Sequence, residues 1–146
     1  MTSVAFDVQI LWPIILVVAV TVASGAWLLR LRIRALKARD VRVAFYTSYR
    51  EGQEPEQVAV ASRHFSNLFE TPVLFYLGCL IAGILGPVSL LTLSAAWGFA
   101  GLRIVQSLVH LTSNNVRWRA NAFWASCLML FTVWGTNIAA LIGMSG

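Results

Sequence analysis

The chain has 146 residues, of which 58% are hydrophobic and only 12% are charged, and its formal net charge is +5. Ordinary soluble domains carry roughly 25% charged residues, so this composition indicates a single membrane-embedded domain, residues 1–146. Eight of the eleven basic residues lie between Arg30 and Arg63, directly after an apolar stretch. That placement favours contact with a membrane surface and gives no support to a nucleic-acid partner.

The first apolar stretch is predicted to be a retained helix rather than a signal peptide, because Asp7 stands where a basic region would be expected. The two cysteines, Cys79 and Cys127, both lie in apolar context. Without a CxxC motif or a His/Cys cluster, the pattern indicates buried thiols and no metal site.

Four membrane-spanning helices are predicted, at about residues 8–33, 55–85, 88–112 and 119–142. The first has an apolar core close to the roughly 20 residues that cross the hydrocarbon. Pro55 suits the first turn of the second helix, since a helix needs no N–H there. The polar segment 37–54 is predicted to be a water-facing loop. The expected fold is therefore an all-α, multi-pass, integral membrane four-helix bundle.

The charges of the loops predict the orientation of the chain in the membrane. The loop after the first helix and the loop after the third carry arginines, whereas the loop after the second helix and both termini carry no basic residue. The positive-inside rule then predicts that both termini lie outside and that both basic loops are cytoplasmic.

Polar side chains within the second predicted helix form a stripe. Arg63, Asn67 and Glu70 are spaced i, i+4, i+7 and would share one helix face. Ionisable residues at membrane depth are energetically expensive and by default suggest a functional site.

A second stripe is predicted on the third helix: Arg103, Ser107, His110 and Asn114, with Gln106 one turn before His110. Arg103 needs an acidic partner, and Glu70 is the only acidic residue expected at that depth. We therefore predict a Glu70–Arg103 pair, within one chain or across a subunit boundary.

Two interpretations of these stripes remain open. The pair could simply fix the helix register, with the amides and hydroxyls as hydrogen bonds between helices. Alternatively, four arginines converge on the cytoplasmic half with one deep carboxylate among them, and such a surplus suits a small anion with several carboxylates. The four are Arg30, Arg63, Arg103 and Arg119.

The segment 63–72 resembles the R-x-x-x-N-x-x-E-x-x-P signature of the MAPEG family, the membrane-associated proteins of eicosanoid and glutathione metabolism. The third helix adds Arg103-x-x-Gln106-x-x-x-His110, similar to the family's R-x-x-[YH]-x-x-x-Y. Arg119 follows Arg103 by sixteen residues, where the family has the arginine that opens its fourth helix. The resemblance in length, helix number and motifs extends over nearly the whole chain.

The resemblance implies a homotrimer with glutathione, as cosubstrate, bound between subunits. It assigns Arg119 the catalytic role of holding the thiolate. It implies glutathione binding by seven further residues: Arg30, Arg63, Asn67, Glu70, Arg103, Gln106 and His110.

Several positions depart from the family pattern. Gln106, His110 and Phe123 occupy places where the family has tyrosine or histidine, and Pro72 follows Glu70 by two residues rather than three or four. Such a chain looks like a bacterial branch of the family, which implies the bacterial inner membrane as its location.

Three functions follow as expectations. The leading one is a glutathione transferase or peroxidase that acts on a lipophilic electrophile entering from the bilayer. The lost tyrosines favour an alternative, a non-catalytic accessory subunit that keeps the scaffold. A small transporter or channel is less supported, because the sequence suggests neither broken helices nor inverted repeats.

Overall fold

A computed structural model of the protein describes residues 6–49, 52–113 and 115–145. Within these residues it is all-α, beginning with a 3-10 turn at Val8–Ile10. The helices are α1 (Leu11–Ala38), α2 (Val43–Ser48), α3 (Glu56–Asn67), α4 (Thr71–Leu85), α5 (Leu90–Leu111) and α6 (Val116–Ser145). The expected all-α membrane bundle is confirmed, and it is formed by α1, α3 with α4, α5, and α6.

Three helical stretches of the described chain are long and apolar enough to cross a membrane: Val8–Ala38, Glu56–Leu85 and Val116–Met144. The fourth segment, α5, has 22 residues but carries an arginine, a glutamine and a histidine on its buried face. These polar side chains lower its mean hydropathy, and its neighbours in the bundle cover them.

Lipid is the solvent that fits the outer surface of the bundle. Large apolar side chains are exposed on every long helix, among them Trp12, Val22, Leu90, Trp124 and Phe131. Apolar exposure on this scale is unfavourable in water and marks a membrane-facing protein.

Helix α5 packs against α6 and α1, α4 packs against α6, and α1 packs against α3. This arrangement buries two apolar clusters. One includes Phe75 and Phe99, whose rings stack at 4.2 Å between centroids. The other includes Leu28, Phe45 and Val58, next to the loop that joins α1 to α3.

The predicted helix 55–85 is interrupted. Helix α3 ends at Asn67 and α4 begins at Thr71. Pro72 explains the break: it has no N–H to donate to the carbonyl of Leu68, and its ring would clash with that carbonyl in a continuous helix. Glu70, with φ −94° and ψ −94°, lies outside both helices. The expectation of uninterrupted helices is thus wrong at this point.

The ends of the long helices also differ from the predicted ones. Helix α6 begins at Val116 because the Asn115 side chain accepts hydrogen bonds from the N–H groups of Arg117 and Trp118, which caps the helix. Helix α1 continues to Ala38, where Arg39 adopts a left-handed conformation with φ 62° and ends it.

The segment 37–54, predicted to be a water-facing loop, contains the short helix α2. Its Val41 and Phe45 are 8% and 9% exposed and belong to the second apolar cluster. This loop therefore packs onto the bundle along part of its length.

Candidate functional site

Polar side chains occupy the interior between the two apolar clusters. We call this set the polar layer, and its members are Ser24, His64, Arg103, Gln106, Ser107 and His110, all buried. Along α1 and α5, the polar layer follows Val17 and Phe99 of the first apolar cluster. Along α1 and α3, it lies next to Leu28 and Val58 of the second apolar cluster. The layer therefore lies towards the basic end of the bundle.

A cleft of about 250 Å³ opens beside the polar layer. Its lining comprises Ser62, Arg63, Ser66, Asn67, His110 and Arg119. Helix α3 supplies the first four of these, because positions 62, 63, 66 and 67 recur at helical spacing on one face. The structure thus brings together Arg63, Asn67, His110 and Arg119 from the predicted set, and among the described residues the lining holds two arginines and no carboxylate.

His110 and Arg119 are in contact across α5 and α6. The Nη1 atom of Arg119 lies 3.3 Å from Nε2 of His110. A guanidinium only donates hydrogen bonds, so Nε2 of His110 is the acceptor and the ring proton of a neutral imidazole sits on Nδ1. His110 therefore helps to fix the guanidinium of Arg119 at the cleft.

His64 extends this contact through the interior. Its ring meets the His110 ring edge-on, with 4.9 Å between centroids, and both residues are 1% exposed. On its other side, Nε2 of His64 lies 3.4 Å from the hydroxyl of Ser24 on α1. One chain of polar contacts thus joins α1, α3, α5 and α6.

Arg103 lies deeper and does not line the cleft. Its side chain is 1% exposed and donates from Nη1 to Oε1 of Gln106 at 2.5 Å. Its guanidinium carbon lies 5.2 Å from the centroid of the Phe99 ring and 5.6 Å from that of Phe123. Contact with aromatic faces stabilises a cation, but Nε and Nη2 of Arg103 have no hydrogen-bond partner among the described residues.

The predicted Glu70–Arg103 pair is not formed within the described chain, where the ion pair found is Arg32–Glu54. Glu70 is exposed at the break after α3 and does not belong to the described cleft lining that Arg63 and Asn67 share. The form of the pair between subunits stays a prediction. Arg103 is covered by residues of its own chain, so a neighbouring subunit could contact it only if those residues moved apart.

The remaining predicted residues lie elsewhere. Arg30 is exposed on α1 and does not line the cleft. The hydroxyl of Ser107 donates to the carbonyl of Arg103 at 2.8 Å, so it bonds within its own helix. Asn114 lies outside the described residues.

A second polar cluster, which the sequence pattern did not predict, joins α1 to the loop. Arg32 contacts Glu54 at 3.4 Å, donates to the hydroxyl of Ser62 at 3.2 Å and lies 5.1 Å from the Tyr46 ring centroid. Burial and the nearby carboxylate of Glu54 raise the pKa of Tyr46 above its ordinary value. An arginine near a helix end is also expected where its side chain simply extends towards the membrane surface. The spacing of Arg32 in the sequence therefore did not indicate this cluster.

The comparisons with known proteins bear on the whole chain. No curated protein and no solved structure is significantly similar to it. The family model of the MAPEG family, however, matches residues 11–139, a range that begins with α1 and includes most of α6. The match includes every element that lines the cleft, and the chain belongs to the MAPEG family.

Proposed function

We propose that the protein binds glutathione in the cleft and acts as a glutathione transferase or peroxidase on lipophilic substrates. The observation that carries the proposal is the convergence of Arg63, Asn67, His110 and Arg119 on one cleft. Two guanidinium groups in one cleft suit a ligand with two carboxylates and a thiol.

This arrangement supports a role for Arg119 in stabilising the thiolate sulfur of glutathione. A cation next to a thiol favours the thiolate, which is the nucleophilic form. Nε2 of His110 accepts a hydrogen bond from the guanidinium of Arg119 and helps to fix its position. In a transfer, the thiolate sulfur forms a bond to an electrophilic carbon, and the leaving group departs with the electrons of the bond that breaks. In a peroxidase reaction, two thiols reduce one hydroperoxide to an alcohol and water and become a disulfide.

The size of the cleft supports a site completed by a neighbouring chain. Its 250 Å³ falls below the roughly 300–1,000 Å³ of pockets that enclose a small molecule. Glu70 is exposed close to Asn67 at the end of α3, where it is available to the ammonium group of glutathione or to an adjacent subunit. We therefore propose a homotrimer in the bacterial inner membrane, with both termini outside and the basic loops cytoplasmic.

Glutathione-dependent thermal stabilisation of the purified protein tests the proposal. A ligand that binds only the folded state stabilises it by about 2.7 kcal/mol at a concentration 100 times its Kd. We expect glutathione to raise the melting temperature of the wild type, and Arg63→Ala and Arg119→Ala to abolish the increase. Arg117→Ala is the matched control, because Arg117 is exposed at the start of α6 and does not line the cleft.

A wild-type protein that glutathione does not stabilise would contradict the proposal, as would an increase that survives both cleft substitutions. The second candidate function is a non-catalytic accessory subunit. It is favoured by the apolar ring of Phe123, which packs over Arg103 where the family has a hydroxyl-bearing tyrosine. Stabilisation by glutathione without turnover of 1-chloro-2,4-dinitrobenzene would support this candidate over the enzyme.

A further inference from the structure

A surface pocket of about 520 Å³ lies where α1 ends and the chain turns towards α2. We call it the loop pocket, and its described lining is Leu36, Arg39, Val41, Arg42 and Val43. It combines two guanidinium groups with three apolar side chains. Such a lining suits a ligand that has an anionic head and an apolar body.

The backbone that carries the two arginines is attached to the bundle. Arg39 ends α1 in a left-handed conformation, and its N–H and that of Asp40 donate to carbonyls in the last turn of α1. Val41, between the arginines, is buried and packs into the second apolar cluster. The side chains of Arg39 and Arg42 are exposed. The pocket is therefore a fixed part of the fold that presents two cations to the surroundings.

The charge near the loop pocket favours an anion. Residues 34–42 contain four basic residues and one acidic residue, Asp40. The ion pair found among the described residues, Arg32–Glu54, includes neither arginine of the pocket. An anion that binds there therefore has no ion pair between described residues to displace.

The length of α1 places the loop pocket among the lipid headgroups. A helix of 28 residues is about 42 Å long. A bilayer with its headgroups is about 40–45 Å thick. Helix α1 therefore reaches from one headgroup region to the other, and the pocket adjoins its C-terminal end.

An apolar stripe on α1 connects the hydrocarbon with the loop pocket. Val22, Leu29 and Ile33 are exposed, and Leu36 of the pocket lining continues the same helix face. An acyl chain that packs along this stripe has its headgroup beside the arginines. A free phosphate ion makes no use of the stripe, so the arrangement favours a lipid.

We propose that the loop pocket binds an anionic phospholipid, with the phosphate between Arg39 and Arg42 and an acyl chain on the apolar stripe of α1. Guanidinium groups donate charge-assisted hydrogen bonds to phosphate oxygens. A zwitterionic phospholipid adds a quaternary ammonium group that the arginines repel, so the pocket selects for net negative charge. This inference goes beyond the proposed function and does not depend on glutathione.

Native mass spectrometry of the detergent-purified protein tests the proposal. The protein is titrated with phosphatidylglycerol or with phosphatidylcholine of the same acyl chains, and the bound lipid is quantified. We expect phosphatidylglycerol to bind more tightly. Arg39→Gly with Arg42→Gln should weaken its binding about thirtyfold, which corresponds to about 1 kcal/mol for each arginine. Glycine adopts the left-handed conformation of Arg39 without strain, so the turn is kept.

Arg34→Gln with Arg117→Gln is the matched control, because it removes the same charge at two exposed positions outside the pocket lining. It should weaken binding far less, since salt screens exposed charges that do not contact the ligand. Asp40→Asn should tighten binding, because it removes the carboxylate next to the arginines in the sequence. Should the double variant be unstable, Arg42→Gln alone, at an exposed loop position, should weaken binding about fivefold.

Two further results decide between a lipid and a soluble anion. Val43→Asn, which keeps both arginines, should weaken phosphatidylglycerol binding because it removes apolar surface from the lining. Glycerol 1-phosphate, which carries an anionic headgroup without acyl chains, should not displace the lipid. Displacement by an equal concentration of glycerol 1-phosphate would show that the pocket binds a soluble phosphate and would overturn the lipid assignment. Equal affinity for the two phospholipids, or equal losses in the pocket and control double variants, would also overturn it.

Discussion

Arg103 carries a positive charge at a position that is 1% exposed, and the described part of the chain places no carboxylate in ion-pair contact with it. Removing an ion from water costs several kcal/mol unless its partners compensate. Gln106 accepts one hydrogen bond, and the Phe99 and Phe123 rings offer aromatic faces. Two guanidinium nitrogens receive no hydrogen-bond partner from residues 6–49, 52–113 and 115–145, so the compensation within this part of the chain is incomplete.

We expect Arg103→Met to stabilise the folded protein, since an unbranched apolar side chain of similar volume removes the desolvation cost. Replacing buried ions by well-packed apolar side chains is often neutral or stabilising by about 1–4 kcal/mol. Arg103→Ala is the control for volume, and it should destabilise by about 2–5 kcal/mol because it leaves a cavity between the two rings. Thermal unfolding in detergent measures both. A melting temperature for the Met variant as low as that of the Ala variant would show that the charge itself is stabilising.

At the scale of elements, the loop between α1 and α3 is attached by both apolar and polar contacts. Phe45 packs into the second apolar cluster, while Arg32 joins Glu54 and the Tyr46 ring. The hydroxyl of Tyr46 is buried, and burial raises its pKa before the charge of Glu54 adds to the effect. The protonation state of Tyr46 is therefore linked to the stability of this loop.

The sign of the linkage follows from the raised pKa. The folded state holds the tyrosine proton more tightly than the unfolded state, whose tyrosine titrates near pH 10. Its contribution is therefore fully present below pH 10 and is lost as the pH rises towards the folded-state pKa. Between pH 8 and pH 11, we expect the wild type to lose more thermal stability than Tyr46→Phe. Tyr49→Phe is the control, because Tyr49 is exposed. Parallel melting curves for the wild type and Tyr46→Phe would contradict the linkage.

The sequence predicted some elements and failed at others for identifiable reasons. Apolar length and turn residues predicted the four segments well, since these depend on local composition. The break at Pro72 was missed because the apolar run after it and the i, i+7 spacing of Arg63 and Glu70 both suggested one continuous helix. Glu70 consequently lies outside the helix that carries Arg63 and Asn67.

The cleft was predictable only in part. Arg63 and Asn67 share a helix, so their common face follows from spacing. Their approach to His110 and Arg119 depends on how α3, α5 and α6 pack, which a single sequence does not encode in any local pattern.

At the scale of the whole molecule, the small cleft and the exposed Glu70 beside it bear on assembly. We predict a species of three chains in native mass spectrometry of detergent-released protein, with up to three glutathione molecules bound. If Glu70 faces a neighbouring subunit, Glu70→Lys should reduce the trimer, since it places a cation against the arginine-rich cleft. Asp40→Lys is the control, because Asp40 is exposed in the loop. A monomer in the wild type would reject the assembly, and equal trimer content in both variants would place Glu70 outside the interface.

The break at Pro72 also limits what can surround this part of the bundle. Lipid tails offer no hydrogen-bond donors, so irregular backbone at membrane depth persists only where protein or water covers it. The carbonyl of Leu68 has lost its helical donor to the proline ring, and Phe69 and Glu70 beside it are exposed in the single chain. We therefore expect water or the polar surface of another protein chain, and not hydrocarbon, beside this stretch. Lipid contact would then be restricted to the sides of the molecule that the break does not reach.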